Sequence, residues 1–244
     1  MFLHALMFQK TKMILGILGG SINTNYQMKK VYILSGLGAD ERVFRYLDFK
    51  DLDVTFVQWI KPLMNETIDH YTKRISEQIQ SKNPILIGLS FGGIIATELA
   101  KMIPVEQLIL ISSLKTRAEI PFIYRLAGKF RLHRLIPYSF LKKDHALNRW
   151  LFGVIRKNDK DLFKRVLADT DTDFLKWAIN IIVTWKNVDL HPQLQHIHGT
   201  KDKLLPFKNA GNAIAIENGG HLMVLDKAKQ VSEVLHQVIN LKTT

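Results

Sequence analysis

The sequence predicts an α/β fold: a mostly parallel sheet flanked by helices, with a helical insertion. Three observations carry this reading. Short apolar runs alternate with helix-period segments from residue 31 to 113, the rhythm of a parallel sheet covered on both faces. That rhythm lapses between 114 and 186, where only helix-like segments remain, and it returns at Leu194. The apolar runs end in tight turns, the sharpest being Gly88-Leu89-Ser90-Phe91-Gly92.

Residues 1–27 precede the first strand. Met13 to Gly20 is apolar and follows Lys10 and Lys12, but it is far too short to span a bilayer. Met28 opens Met-Lys-Lys-Val-Tyr-Ile-Leu, which runs directly into a strand. The preferred reading is an upstream extension outside the fold; a cleaved or anchoring signal is the alternative. Val31–Leu34 is the first strand and ends in Ser35-Gly36-Leu37-Gly38-Ala39-Asp40. A glycine-rich loop after a buried strand lets backbone N–H groups approach a ligand. Asp40 also suits the cap of a helix at Glu41–Leu47. Val54–Trp59 alternates as a second strand, and Thr67–Gln80 has helical period.

Ile85–Leu89 is an apolar strand, and Gly92–Met102 is a helix stopped before Pro104. Between them Ser90 sits at the tip of Gly-x-Ser-x-Gly, the pattern of a nucleophile elbow. Side chains at Gly88 and Gly92 would collide with neighbouring chain. The Phe91 N–H lies at a helix N-terminus, where it can bind a developing oxyanion. An ordinary strand–helix turn explains the pentapeptide equally well on its own.

Gln107–Ile111 is the next strand. Residues 114–186 then carry helix-like segments near 120–132, 137–152, 159–168 and 171–185. This stretch holds 16 Lys and Arg against 7 Asp and Glu, a net of +9 within a chain total of +12. It reads as a helical cap over the sheet edge where ligands of open α/β sheets bind. Its apolar residues Phe122, Ile123, Leu126, Phe130, Trp150, Phe152, Phe174, Trp177 and Trp185 are candidates for an acyl pocket, and more of them for helix packing. Leu194–His198 and Ala213–Ile216 are the last strands, followed by a helix over Val224–Leu241. Core residues 28–113 and 187–244 therefore flank the cap.

Composition narrows the function classes. The chain of 244 residues has no cysteine, so it has neither disulfides nor thiolate chemistry. That fits a cytoplasmic protein. The basic balance suits nucleic acid, an anionic surface or an acidic substrate. The absence of a zinc finger, an RNA-binding aromatic motif and a helix-turn-helix signature argues against nucleic acid.

Four pieces stand in one order: Gly36-Leu37-Gly38, Gly88-Leu89-Ser90-Phe91-Gly92, Gly199-Thr200-Lys201-Asp202 and Gly219-Gly220-His221. With them the chain resembles the α/β-hydrolase superfamily across residues 28–241. The resemblance implies nucleophile Ser90, acid Asp202 and base His221, in the order this superfamily uses. It implies oxyanion donors at the N–H groups of Leu37 and Phe91. A serine hydroxyl needs a base to take its proton, and an imidazole oriented by a carboxylate suits this. Serine at 90 argues against haloalkane dehalogenase and epoxide hydrolase relatives, which use aspartate there. One departure is Ser35, where many relatives have histidine. His196 and His198 alternate about Ile197 and read as structural, and no motif surrounds His4, His70, His133, His145, His191 or His236.

The expected function is hydrolysis of a carboxylic ester or thioester through an acyl-serine, with no cofactor and no metal. The substrate is a small molecule with a small to medium acyl part. A basic cap is compatible with an anionic leaving portion such as a coenzyme A thioester. The rivals are a non-catalytic ligand-binding or membrane-associated protein on the same fold, and a C–C hydrolase or lyase using the same triad. The sequence leaves the oligomeric state open.

Overall fold

Apolar residues run almost unbroken through the central strands, so the sheet must be covered on both faces. The computed structural model describes residues 28–135 and 137–240; the extension expected at residues 1–27 lies outside them. Six strands are described: β1 (Lys29–Leu34), β2 (Leu52–Phe56), β3 (Ile85–Leu89), β4 (Gln107–Ile111), β5 (Leu194–Gly199) and β6 (Ile214–Ile216). They form one sheet in the order β2-β1-β3-β4-β5-β6, and every pairing is parallel. β3 and β4 are buried along their whole length, as parallel strands covered on both faces must be.

On one face Val31, Ile33, Ile85, Ile87, Ile109 and Ile111 meet the last helix, α9 (Ala228–Asn240), through Val231, Leu235 and Val238. On the other, Leu34, Leu86, Leu108 and Leu110 meet α1 (Ile68–Ser76) and α2 (Phe91–Met102). Thr67 caps α1 by accepting the His70 N–H, a contact that fixes where that helix begins.

From β1 the chain runs outward to β2, then crosses back to β3 on the other side of β1. The strand order therefore reverses between β1 and β3. Crevices at the carboxyl ends of strands at such a reversal are where open α/β sheets bind ligands. The Ser35–Asp40 loop and Ser90 both lie there.

Between β4 and β5 the described elements are all helical: α3 (Phe122–Lys129), α4 (Tyr138–Leu141), α5 (Ala146–Phe152), α6 (Lys157–Asp169) and α7 (Thr172–Thr184). The single helix expected over 137–152 is two. His145 caps α5 by accepting the Asn148 N–H, and the Asn148 amide donates to the carbonyls of Leu141 and Lys143. These side chains satisfy the carbonyls at the end of α4 and allow the chain to turn there. The expected helix at Glu41–Leu47 is a 3₁₀ turn over Glu41–Phe44, capped by Asp40. The expected closing helix is likewise divided, into α8 (Met223–Asp226) and α9. Among the described residues no helix is long and apolar enough to cross a membrane.

Candidate active site

Ser90 is held at φ 52° and ψ −119°, a backbone conformation that costs a non-glycine residue of order 1–3 kcal/mol. Its surroundings over-determine it. The Ser90 N–H donates to Ile111 O at 2.9 Å, continuing the β3–β4 ladder into the turn. Its carbonyl accepts the Ser113 hydroxyl at 2.6 Å and the Gly93 N–H at 2.9 Å. A Cβ at Gly88 would run into the backbone of Gly92 and Gly93. One at Gly92 would run into the carbonyls of Leu34 and Ser35. The two glycines let helix, strand and neighbouring strand meet at this turn.

Ser90 Oγ lies 2.8 Å from His221 Nε2. His221 Nδ1 lies 2.8 Å from Asp202 Oδ2. A carboxylate only accepts, so Nδ1 carries the proton and Nε2 is left to accept the serine hydroxyl. The three residues come from the ends of β3, β5 and β6, and Gly199 lets the last two loops touch because a Cβ there would strike Gly219. His221 and Asp202 are buried. The Phe152 ring packs against the His221 imidazole in a T-shaped contact, 5.5 Å between centroids.

Asp202 does two jobs. Oδ1 accepts the N–H groups of Leu204 and Leu205, both at 2.9 Å, and so caps the turn. Oδ2 faces His221. Burial alone would raise this carboxyl; the His221 charge and hydrogen bonds from His198, His221 and the Leu205 N–H outweigh it and hold the group below the usual carboxylate range.

His198 and His196, read from sequence as structural, extend this arrangement. His198 Nε2 is 2.8 Å from Leu205 O and 3.2 Å from Asp202 Oδ2. A carbonyl cannot donate, so Nε2 carries the proton. His198 Nδ1 lies 3.0 Å from His196 Nε2, so the two rings are joined by a hydrogen bond. Burial, with the nearby charges of His198 and Lys115, pushes His196 down to about 3, so it stays neutral. Histidines two apart on a strand share a face, and that spacing was the available signal. Among the described residues no group of three or more His, Cys, Asp or Glu is arranged to hold a metal ion.

Leu37, Ser90 and Phe91 line one cavity of about 280 Å³, near the small end of the range for small-molecule sites. The N–H groups of Leu37 and Phe91 donate to no acceptor among the described residues. The far walls are apolar and come from the helices between β4 and β5, including Leu141, Leu151, Ile179 and Ile182. Of the apolar residues singled out in that stretch, Phe152 alone lines the cavity. Phe174 and Trp185 are buried in the core, while Phe122, Ile123, Phe130 and Trp150 are exposed. The Tyr124 hydroxyl donates to Leu204 O at 3.1 Å, and burial with the Asp202 charge pushes its phenol up.

The Ser35 departure has a structural answer. Its hydroxyl accepts the Trp59 indole N–H at 2.9 Å and donates to the carbonyl of Ala39. Serine and tryptophan together tie down the loop that carries Leu37.

A profile described as the alpha/beta hydrolase family matches residues 31–234. The chain belongs to that family. No curated protein matches it. Among solved structures it is similar to a thermophilic esterase from Thermogutta terrifontis, at 13% identity and TM-score 0.67, over 88% of this chain and 91% of that one. An esterase from Exiguobacterium antarcticum aligns at 18% identity and TM-score 0.63, over 87% and 92%. An epoxide hydrolase from Bacillus megaterium aligns at 13% identity and TM-score 0.64, over 88% and 94%. At these identities the likeness concerns the alpha/beta hydrolase fold, which hosts several chemistries.

Proposed function

We propose that this alpha/beta hydrolase is a serine esterase or thioesterase for substrates with an apolar acyl part of small to medium length. The carrying observation is the unbroken series from Ser90 Oγ to His221 to Asp202, at 2.8 Å in each step, opening on the apolar cavity. Ser90 Oγ attacks the acyl carbon while His221 Nε2 takes its proton. The oxyanion is held by the N–H groups of Leu37 and Phe91. Collapse expels the alcohol or thiol, which leaves with the proton from His221. Water, deprotonated by the same imidazole, then releases the acid and restores Ser90. Residues 114–186 act as a cap whose inner helices supply the acyl wall. Serine at 90, where epoxide hydrolase relatives use aspartate, favours acyl transfer over epoxide opening.

Labelling with a fluorophosphonate probe tests the reading. Wild type is expected to label, and Ser90→Ala and His221→Ala to fail while remaining folded. Hydrolysis of p-nitrophenyl esters and acyl-coenzyme A thioesters of graded length then separates ester from thioester. A folded wild type that neither labels nor cleaves any of these would overturn the proposal.

A further inference from the structure

The helix α3 has two apolar faces, and only one of them is covered. Tyr124 and Ala127 line the cavity, and a Cβ at Gly128 would meet the backbone of Val183 on α7. The other face carries Phe122, Ile123, Leu126 and Phe130, which recur at helical spacing. Phe122, Ile123 and Phe130 are each at least 60% exposed. The chain continues into a 3₁₀ turn, Leu132–Leu135, where His133 is buried and both leucines are exposed. Single exposed apolar residues are ordinary on a protein surface, but a run of them on one element marks a contact site.

The charges around this face have one sign. Lys129, Arg131 and Arg134 are exposed, and the Lys129 ammonium lies 5.7 Å from the Phe130 ring centroid. No Asp or Glu stands between Glu119 and Asp144 in the sequence. Two carboxylates share a groove with Arg134: Glu66, which is paired with Arg74, and Asp173, which is near Lys61 and Lys176. Aromatic and aliphatic groups rimmed by cations match a surface that offers hydrocarbon below and negative charge above.

We infer that the outer face of α3 and the Leu132–Leu135 turn dock on an anionic phospholipid surface. The apolar side chains enter the acyl boundary, and Lys129, Arg131 and Arg134 meet lipid phosphates. Because the inner face of the same helix lines the cavity, docking sets the cavity wall against the membrane. This assignment does not depend on the hydrolytic reading, and its test reads binding rather than turnover.

The test is co-sedimentation of the full chain with vesicles of phosphatidylcholine alone and of phosphatidylcholine mixed with phosphatidylglycerol. Binding is expected on the mixed vesicles, much weaker on phosphatidylcholine, and falling with added salt. A basic residue near an anionic surface strengthens binding by roughly fivefold, so K129Q/R131Q/R134Q should weaken it by about 100-fold. Phe122→Gln, Ile123→Gln and Phe130→Gln together should remove binding that survives high salt. None of these six side chains lines the cavity, and circular dichroism melting checks that each variant folds. Absence of binding to mixed vesicles, or binding that neither triple variant changes, would overturn the inference. So would self-association abolished by the apolar variant without vesicle binding, which assigns the face to a second copy of this chain. Vesicle binding abolished only by deleting residues 1–27 would assign the membrane contact to that segment instead.

Discussion

The strand-end loops and the helices between β4 and β5 contribute to the same cavity, yet they are built on different principles. Around Ser90 nearly every position is held by backbone: a positive φ, a ladder bond to Ile111, and two glycines whose Cβ atoms would strike main chain. Between β4 and β5 the turn from α4 to α5 rests on the side chains of His145 and Asn148, and large apolar groups remain at the surface. Backbone constraints fix atoms to fractions of an ångström, whereas side-chain packing tolerates exchange. Our reading is that the first region sets the reaction and the second sets what reaches it.

Replacing the reactive atom should break this comparison most sharply. Ser90→Ala is expected to lower kcat/KM by about 10⁴-fold or more with no loss in melting temperature. A substantial residual rate would move the chemistry elsewhere. Next in size is Gly92→Val. Its side chain meets the Leu34 and Ser35 carbonyls, backbone at the end of β1 that cannot move without disturbing the sheet edge. Overpacking of this kind destabilises by roughly 1–3 kcal/mol or more, and urea unfolding will measure it. A variant as stable as wild type would mean that the turn is looser than its geometry.

These two regions also differed in how far the sequence disclosed them. Ser90, Asp202 and His221 were legible because each stands near glycines that a close backbone approach requires, and the strands were legible as short apolar runs between helix-period segments; the order of the strands in the sheet was not. The helices of 114–186 were legible as helices. Their inner and outer faces were not, because Phe122 and Phe152 look alike in a string, and tertiary packing alone sends one to solvent and the other against His221. Trp59 escaped notice for a similar reason: its partner Ser35 lies 24 residues away, on another strand's loop.

The histidine pair offers a pH-dependent test of the first region. His196 falls from 6.5 to about 3 on folding, burial being the main cause. The unfolded chain then binds a proton that the folded chain refuses, so stability falls as pH drops below 6.5 and continues falling toward 3. At roughly 1.4 kcal/mol per unit, this group accounts for up to about 3 kcal/mol by pH 4. Urea unfolding across that range should show a shallower decline for His196→Gln than for wild type. Equal slopes would assign the acid sensitivity to other groups.

Within the second region, filling the cavity should alter selectivity and leave chemistry alone. Ile179→Trp takes space from the apolar wall. Each acyl methylene that no longer fits forfeits about 0.8 kcal/mol, or roughly fourfold in kcat/KM. The loss should grow with acyl length across a series of p-nitrophenyl esters, with acetate nearly unchanged. A uniform loss at every length would place Ile179 outside the acyl site.

The smallest effect expected is also the one that joins the two regions of the sheet edge. Trp59 packs its ring against Phe91 and Phe174, at 5.7 and 5.3 Å between centroids, while its N–H reaches Ser35. Trp59→Phe keeps most of the packing and removes the donor. The Ser35 hydroxyl still donates to Ala39 O, so it keeps one partner and loses one. A lost neutral hydrogen bond of this sort costs about 1 kcal/mol, a modest shift in melting temperature. If Leu37 supplies an oxyanion donor, loosening its loop should lower kcat while KM stays near the wild-type value, since the donor matters only once charge develops. A change confined to stability would leave the loop merely structural, with Phe91 as the remaining donor.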